Sequence, residues 1–213
     1  MEEVFTNIYE SHVLENNNKE SISEGSHIDT NNKTCCEPTE NIIRNFVFTS
    51  AGDNTSFDTL WINDDIKYDI YVIYYGNNEE NFNRYKSKVK FVEKRNGSKF
   101  QNFKYFYETY PEIINTYDRF FILDDDIIFK VEDITNMFKL SREYNLEICA
   151  PSFSRNGHIS HKITEHKPNT ILTYTNFVEV NVPLFSKNAL DKLMAVFDYS
   201  LIGWGNRLSI YLV

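Results

Sequence analysis

The chain has 213 residues, with 22 Lys and Arg against 31 Asp and Glu, giving a formal net charge of −9. Its 41% hydrophobic and 15% aromatic content is enough for one well-packed core, and the length is too small for two ordinary domains. The acidic balance speaks against non-specific binding to nucleic acid or an anionic membrane, both of which reward clustered Lys and Arg, so no nucleic-acid partner is expected.

Residues 1–44 contain NNNKE, SISEGSH and TNNKTCCEPTE, polar runs without sustained periodicity that read as a disordered leader before one domain over 45–213. FVFT (46–49) reads as a first strand ending in the turn SAGDN; DIYVIYYG from Asp69 and VKFVE from Val89 read as the second and third. KFQNFKYFYETY from Lys99 carries Phe100, Phe103 and Phe106 at helical spacing, and Pro111 marks its end or a kink. Arg119 to Leu123 is a fourth strand, and 131–145 a helix with Glu132 and Asp133 at its positive end. ICAPSF, TYTNFVEVNVP and PLFS are strand-like, and Ser186 fits an N-cap before KNALDKLMAVF.

Strands alternating with helices predict an α/β domain with a mainly parallel central sheet flanked by helices. In such sheets ligands lie outside the carboxyl ends of the strands, where SAGDN, GNN, RNGS and the aspartates should gather. No apolar run is long enough to span a bilayer, and the start MEEVFTNIYESHV has neither the basic nor the apolar part of a secretory signal. Cys35, Cys36 and Cys149 make no disulfide framework, so a reduced, cytoplasmic protein is expected, with Cys149 in LEICAP an inert core thiol.

FFILDDDI (120–127) sets Asp124, Asp125 and Asp126 against a buried apolar strand. Two carboxylates at i and i+2 at a strand end can hold Mg²⁺ or Mn²⁺ beside a pyrophosphate, since hard cations prefer oxygen ligands. Acids also cap strands without any ligand, and an Asp-x-Asp arises by chance about once in a domain of this size. The apolar flanks favour a counter-ion, because they hold the charges at the rim of the core, where unpaired charge is costly. There is no phosphate-binding Gly-Lys-Ser/Thr loop, no Gly-x-Gly-x-x-Gly and no Gly-x-Ser-x-Gly elbow. His158 and His161 are either metal ligands or solvated loop histidines. A metal-dependent phosphohydrolase would use the same acids.

From Phe46 onward the sequence resembles GT-A-type glycosyltransferases, and more narrowly a set of glycosyltransferase-like proteins that includes the N-terminal domain of a large algal-virus enzyme. The resemblance rests on FTSAGDN (48–54), GSKFQNF (97–103), FFILDDDI (120–127), PSFSRNGHISH (151–161), YTNFVEVNVPLFS (174–186) and GWG (203–205), in that order. It implies a single GT-A-like, Rossmann-related domain that uses Mn²⁺ or Mg²⁺ to move a sugar from a nucleoside diphosphate sugar, a UDP-sugar first, to a glycan or other hydroxyl acceptor. Thr49, Ser50, Ala51, Gly52 and Asp53 would lie against the nucleotide, with Arg95 and Lys99 near it or its phosphates. Asp124 would face the ribose or the metal, and Asp126 would ligate the metal. Ser152, Ser154, Arg155, His161, Asn176 and Trp204 would form the sugar and acceptor side. Asp125 and Glu179 are the candidate catalytic carboxylates; Glu179 is a lone acid in FVEVNV, either paired structurally or facing a cleft as a base.

The pattern departs from the family after GWG, where Arg207 stands in place of an expected Asp. Arg stays protonated and cannot act as a base. A C-terminally shortened chain and a catalytically weak or inactive nucleotide-sugar-binding module are therefore the alternative expectation.

Overall fold

The apolar run after Arg44 becomes β1 (Asn45–Ala51), the first element of the computed structural model, which describes residues 44–198. There follow α1 (Phe57–Leu60), β2 (Asp69–Tyr74), α2 (Glu79–Lys86), β3 (Phe91–Lys94), α3 (Lys99–Thr109), α4 (Pro111–Ile114) and β4 (Arg119–Asp124). The described residues end with α5 (Val131–Glu143), β5 (Ile148–Cys149), β6 (Leu184–Ser186) and α6 (Lys187–Val196). The leader expected over 1–44, Arg44 excepted, lies outside the described residues, as do Trp204, Arg207 and the whole GWG segment. Among the described residues no helix is long and apolar enough to cross a membrane.

The fold is α/β, around one six-stranded mixed sheet of order β3-β2-β1-β4-β6-β5. β1 pairs in parallel with β2 and β4, and β2 with β3, while β6 runs antiparallel to both β4 and β5. The chain steps outward from β1 through β2 to β3, then returns to lay β4 on the other side of β1. That reversal is the switch point where open parallel sheets form ligand crevices. The register pairs Ser50 with Asp124, so β1 and β4 end level and their turns meet.

Parallel strands covered on both faces read as continuous apolar runs, which is why FVF, IYVIY and FFIL carry no polar alternation. Phe46, Phe48, Ile73, Phe120 and Ile122 pack against α3, α4 and α6, and Val47, Ala51, Val72, Phe121 and Leu123 pack against α1, α2 and α5. Phe46 stacks on Tyr71 at 4.4 Å and meets Phe106, Tyr117 and Phe120 within 6 Å, so aromatic rings do much of the filling. Cys149 is a free thiol at the sheet edge, and burial pushes it up to about 12, the inert behaviour its apolar flanks suggest.

Two expectations need correction, and the one for Pro111 holds. TYTNFVEVNVP is not a strand: up to Asn181 it runs as irregular chain, and only Leu184–Ser186 forms β6. Of ICAPSF only Ile148 and Cys149 pair. Pro111 ends α3 and also opens α4 as its first residue, where its missing N–H costs nothing.

Ser186 is the N-cap of α6. Its hydroxyl accepts the Ala189 N–H at 3.1 Å and donates to Glu147 Oε2 at 2.6 Å, which Asn188 also reaches at 3.1 Å. The bonds from Ser186 and then Asn188 hold the Glu147 carboxyl below its ordinary value. A depressed acid stabilises the fold above its unfolded pKa, and that stability is lost as pH falls through its folded pKa. Ser186→Ala is therefore expected to cost about 1–2 kcal/mol at pH 7, and less at pH 3, by thermal unfolding. An equal loss at both pH values would remove Glu147 from this account.

Candidate metal and nucleotide-sugar site

β4 carries the aspartates to the carboxyl edge of the sheet, and the turn they form is bolted to the turn after β1. The Asp125 carbonyl accepts the Ser56 N–H at 2.8 Å and the Thr55 hydroxyl at 2.7 Å, and the Trp61 indole donates to the Ile127 carbonyl at 3.0 Å. The Asp125 carboxylate turns back and accepts the Gly52 N–H at 2.8 Å. Burial pushes this acid up to about 6; the Gly52 N–H opposes the rise, and the charges of Asp126 and Asp124 add to it. Asp125 is thus a brace between β1 and β4 and does not line the cleft beside it, contrary to the catalytic role expected of it.

Lys99, expected near the nucleotide or its phosphates, is held against the aspartate turn. Its side chain is only 10% exposed, and its ammonium reaches Asp124 Oδ1 at 2.8 Å and the carbonyls of Val180 and Asn181 at 2.8 and 2.9 Å. Burial pushes Lys99 below its ordinary value, against the pull of Asp124 and, more weakly, Asp126 and Asp125. The backbone of 181–183 extends the pairing along β4, with Asp124 N donating to Asn181 O and Ile122 N to Pro183 O, both at 3.0 Å. Lys99 and this backbone pairing together station Glu179 opposite the aspartates.

The result is a cleft of about 260 Å³ lined by Asp124, Asp126, Ile127, Phe153, His158, Ser160, Glu179 and Asn181. Asp126 is exposed, and among the described residues no cation lies within ion-pair distance of it. The Glu179 side chain is 8% exposed, and His161 Nε2 stands 3.8 Å away with its ring against Phe177. Among the described residues no three His, Cys, Asp or Glu side chains stand ready to enclose a metal ion. Two carboxylates on an open turn nevertheless suit Mg²⁺ or Mn²⁺, which take one or two carboxylates and fill the remaining positions with water and substrate phosphate. The donor set fits such a cation held jointly with a ligand.

Along the β1 edge, Thr49, Ser50 and Ala51 are buried, so their side chains are closed to a ligand. Ser50 accepts from the buried Asn102 amide at 2.9 Å, and Asn102 Oδ1 in turn takes a hydrogen bond from Arg95, whose guanidinium lies 4.6 Å over the Tyr105 ring. Asp53 is exposed, held below its ordinary value by hydrogen bonds from Tyr74 and Asn81. Tyr75 lies directly on Gly52, where a Cβ would meet its hydroxyl at 2.9 Å, and it is 43% exposed. Burial pushes the pKa of its hydroxyl up, and the charges of Asp125, Asp126, Asp124 and Asp53 push it further.

At Gly76 a Cβ would stand 2.5 Å from the hydroxyl of Tyr74, which is 1% exposed and has no room to swing. Gly76→Ala is expected to cost about 1–3 kcal/mol and to loosen Asp53, read by denaturant unfolding. An unshifted midpoint would show that Tyr74 can move.

The expected sugar and acceptor residues are only partly brought together. His161 touches Glu179, whereas Ser152 bonds His166 at 3.2 Å, Arg155 pairs with Glu165 at 3.0 Å, and Ser154 closes the 154–157 turn. Asn176 is exposed away from the lining, and Trp204 is outside the described residues. Sequence reasoning placed Phe153 and Ser160 within the sugar-side stretch 152–161 but overlooked Ile127, Asn181, Asn102 and Tyr75. Tyr75 alone left a signal, an aromatic in the strand-ending turn YYG.

Residues 61–175 match the family described as "Protein of unknown function (DUF707)". No curated protein and no solved structure matches the chain.

Proposed function

We propose that this chain, which belongs to the DUF707 family, is a metal-dependent glycosyltransferase of the GT-A type, moving a sugar from a UDP-sugar or other nucleoside diphosphate sugar to a hydroxyl of a glycan or other acceptor. One observation carries the reading: the aspartate turn at the switch point opens into a cleft with the buried carboxylate Glu179 among its walls. Asp126 would ligate Mn²⁺ or Mg²⁺ on the turn, with Asp124 facing the ribose or the water around the metal. When bound, that cation neutralises the diphosphate and stabilises it as a leaving group.

The chain's own residues do the rest. The backbone of 49–52, with Asp53 and the exposed Tyr75 ring beside it, borders the nucleoside; Glu179 faces the acceptor. In an inverting transfer the acceptor oxygen bonds to the anomeric carbon as the bond to the diphosphate breaks, and the acceptor proton passes to Glu179. His161, within 3.8 Å of that carboxylate, orients it. A cytoplasmic setting belongs to the same reading and rests on the free thiol of Cys149.

The test is incubation with UDP-sugars, Mn²⁺ and a panel of hydroxyl acceptors. Release of UDP together with a glycosylated acceptor supports the proposal. Arg207, where similar sequences carry Asp, favours a second reading, a module that binds the nucleotide sugar without transfer. Metal-dependent UDP binding with no product would select it, and metal-dependent release of inorganic phosphate alone would select a phosphohydrolase.

A further inference from the structure

We propose that Lys99 neutralises Asp124 in the free protein, so that a divalent cation and a nucleoside diphosphate bind the cleft cooperatively and neither fills it well alone. The inference rests on the reading of the aspartate turn as a cation site. An ammonium has three protons, and here each has an acceptor within 2.9 Å: Asp124 Oδ1, the Val180 carbonyl and the Asn181 carbonyl. Moving Lys99 aside would leave the Val180 carbonyl and the Asp124 carboxylate without this donor, so it stays in place at modest provocation.

A divalent cation arriving alone therefore meets one free carboxylate on the turn, Asp126, because Asp124 already carries a counter-ion. It also meets the field of the ammonium, and two cations sharing one carboxylate repel. Mg²⁺ and Mn²⁺ shed water reluctantly for so little return. A diphosphate changes the balance, since its negative charge can satisfy both the cation and Lys99. By linkage, whatever the diphosphate adds to cation affinity, the cation adds to diphosphate affinity. The same ammonium holds the segment carrying Glu179, so one residue couples cation loading to the placement of the acceptor-side carboxylate.

Mn²⁺ alone is titrated into the full chain, with free ion read by electron paramagnetic resonance, and the titration is repeated at saturating UDP. Lys99→Met is expected to tighten binding of Mn²⁺ alone by about tenfold, and to shrink the gain brought by UDP by the same factor. In the otherwise unmodified chain, Asp124→Asn is expected to change binding of Mn²⁺ alone by less than about twofold, while it erases the gain of Lys99→Met in the double variant. Lys99→Arg should keep the native behaviour. Unchanged or weaker Mn²⁺ binding in folded Lys99→Met overturns the proposal. So does a tenfold loss of Mn²⁺-alone affinity in Asp124→Asn, which decides the matter should Lys99→Met fail to fold. If UDP never binds, the functional reading fails, and the titrations with Mn²⁺ alone still report on Lys99.

Discussion

Asp126→Ala is expected to weaken Mn²⁺-dependent binding of UDP by about a hundredfold or more, because residues one shell beyond a metal already cost about 10–100-fold when removed. Asp126 is the exposed acid of the turn, and with Asp124 occupied by Lys99 it is the carboxylate open to a cation. The fold should survive, since Asp126 anchors no neighbour in the way Asp125 anchors Gly52. Its loss should raise the thermal midpoint slightly in the absence of metal, because three adjacent like charges are less crowded. Calorimetric titration with and without Mn²⁺ reads the first effect and a melting curve the second. Unchanged Mn²⁺-dependent affinity in this variant would remove the cation from the turn.

Glu179→Gln is expected to slow sugar transfer by about 10²- to 10⁴-fold, the usual range for a lost acid–base group. Gln keeps the shape of a side chain that is 8% exposed, so packing beside Asn181 and His161 should hold. UDP affinity should stay within about twofold, because an interaction made only in the transition state shows in kcat and leaves binding alone. A rate equal to that of the unmodified chain would make Glu179 a structural acid paired with His161. A loss of UDP binding with an intact fold would move Glu179 from the acceptor side to the donor side.

Regular elements with a repeating apolar pattern were legible in the sequence. β1, β2 and β4 declare themselves by uninterrupted apolar runs, and α3, α5 and α6 by spacing and caps, Ser186 being the clearest. Elements that are short or mostly polar were not. α1 has four residues, and in EENFNRYK of α2 only Tyr85 is buried, so neither offers a stripe to count. The segment 174–183 was misread because Val178, Val180 and Val182 alternate like a strand. The structure uses the backbone of 181–183 to extend β4 and leaves the rest irregular.

Within the site, the aspartates and Glu179 were legible because a charge inside an apolar run has few local explanations. The roles of Lys99, Arg95 and Asp125 were not, since each is set by a distant partner. Lys99 bonds carbonyls 81 and 82 residues away, and Asp125 bonds an N–H 73 residues away. A cation near a loop looks the same in sequence whether it faces phosphate or is buried under the acids. Ser152, Ser154 and Arg155 illustrate the converse, as their hydroxyls and guanidinium close the local fold of their own loop.

The most direct test of the central claim is a crystal of the chain grown with UDP and Mn²⁺, with data collected at a wavelength where manganese scatters anomalously. The account predicts one anomalous peak about 2 Å from the Asp126 carboxylate, with the pyrophosphate against its far side and the Lys99 ammonium still bonded to the carbonyls of Val180 and Asn181. UDP bound with no such peak, or a peak away from the aspartate turn, would contradict it.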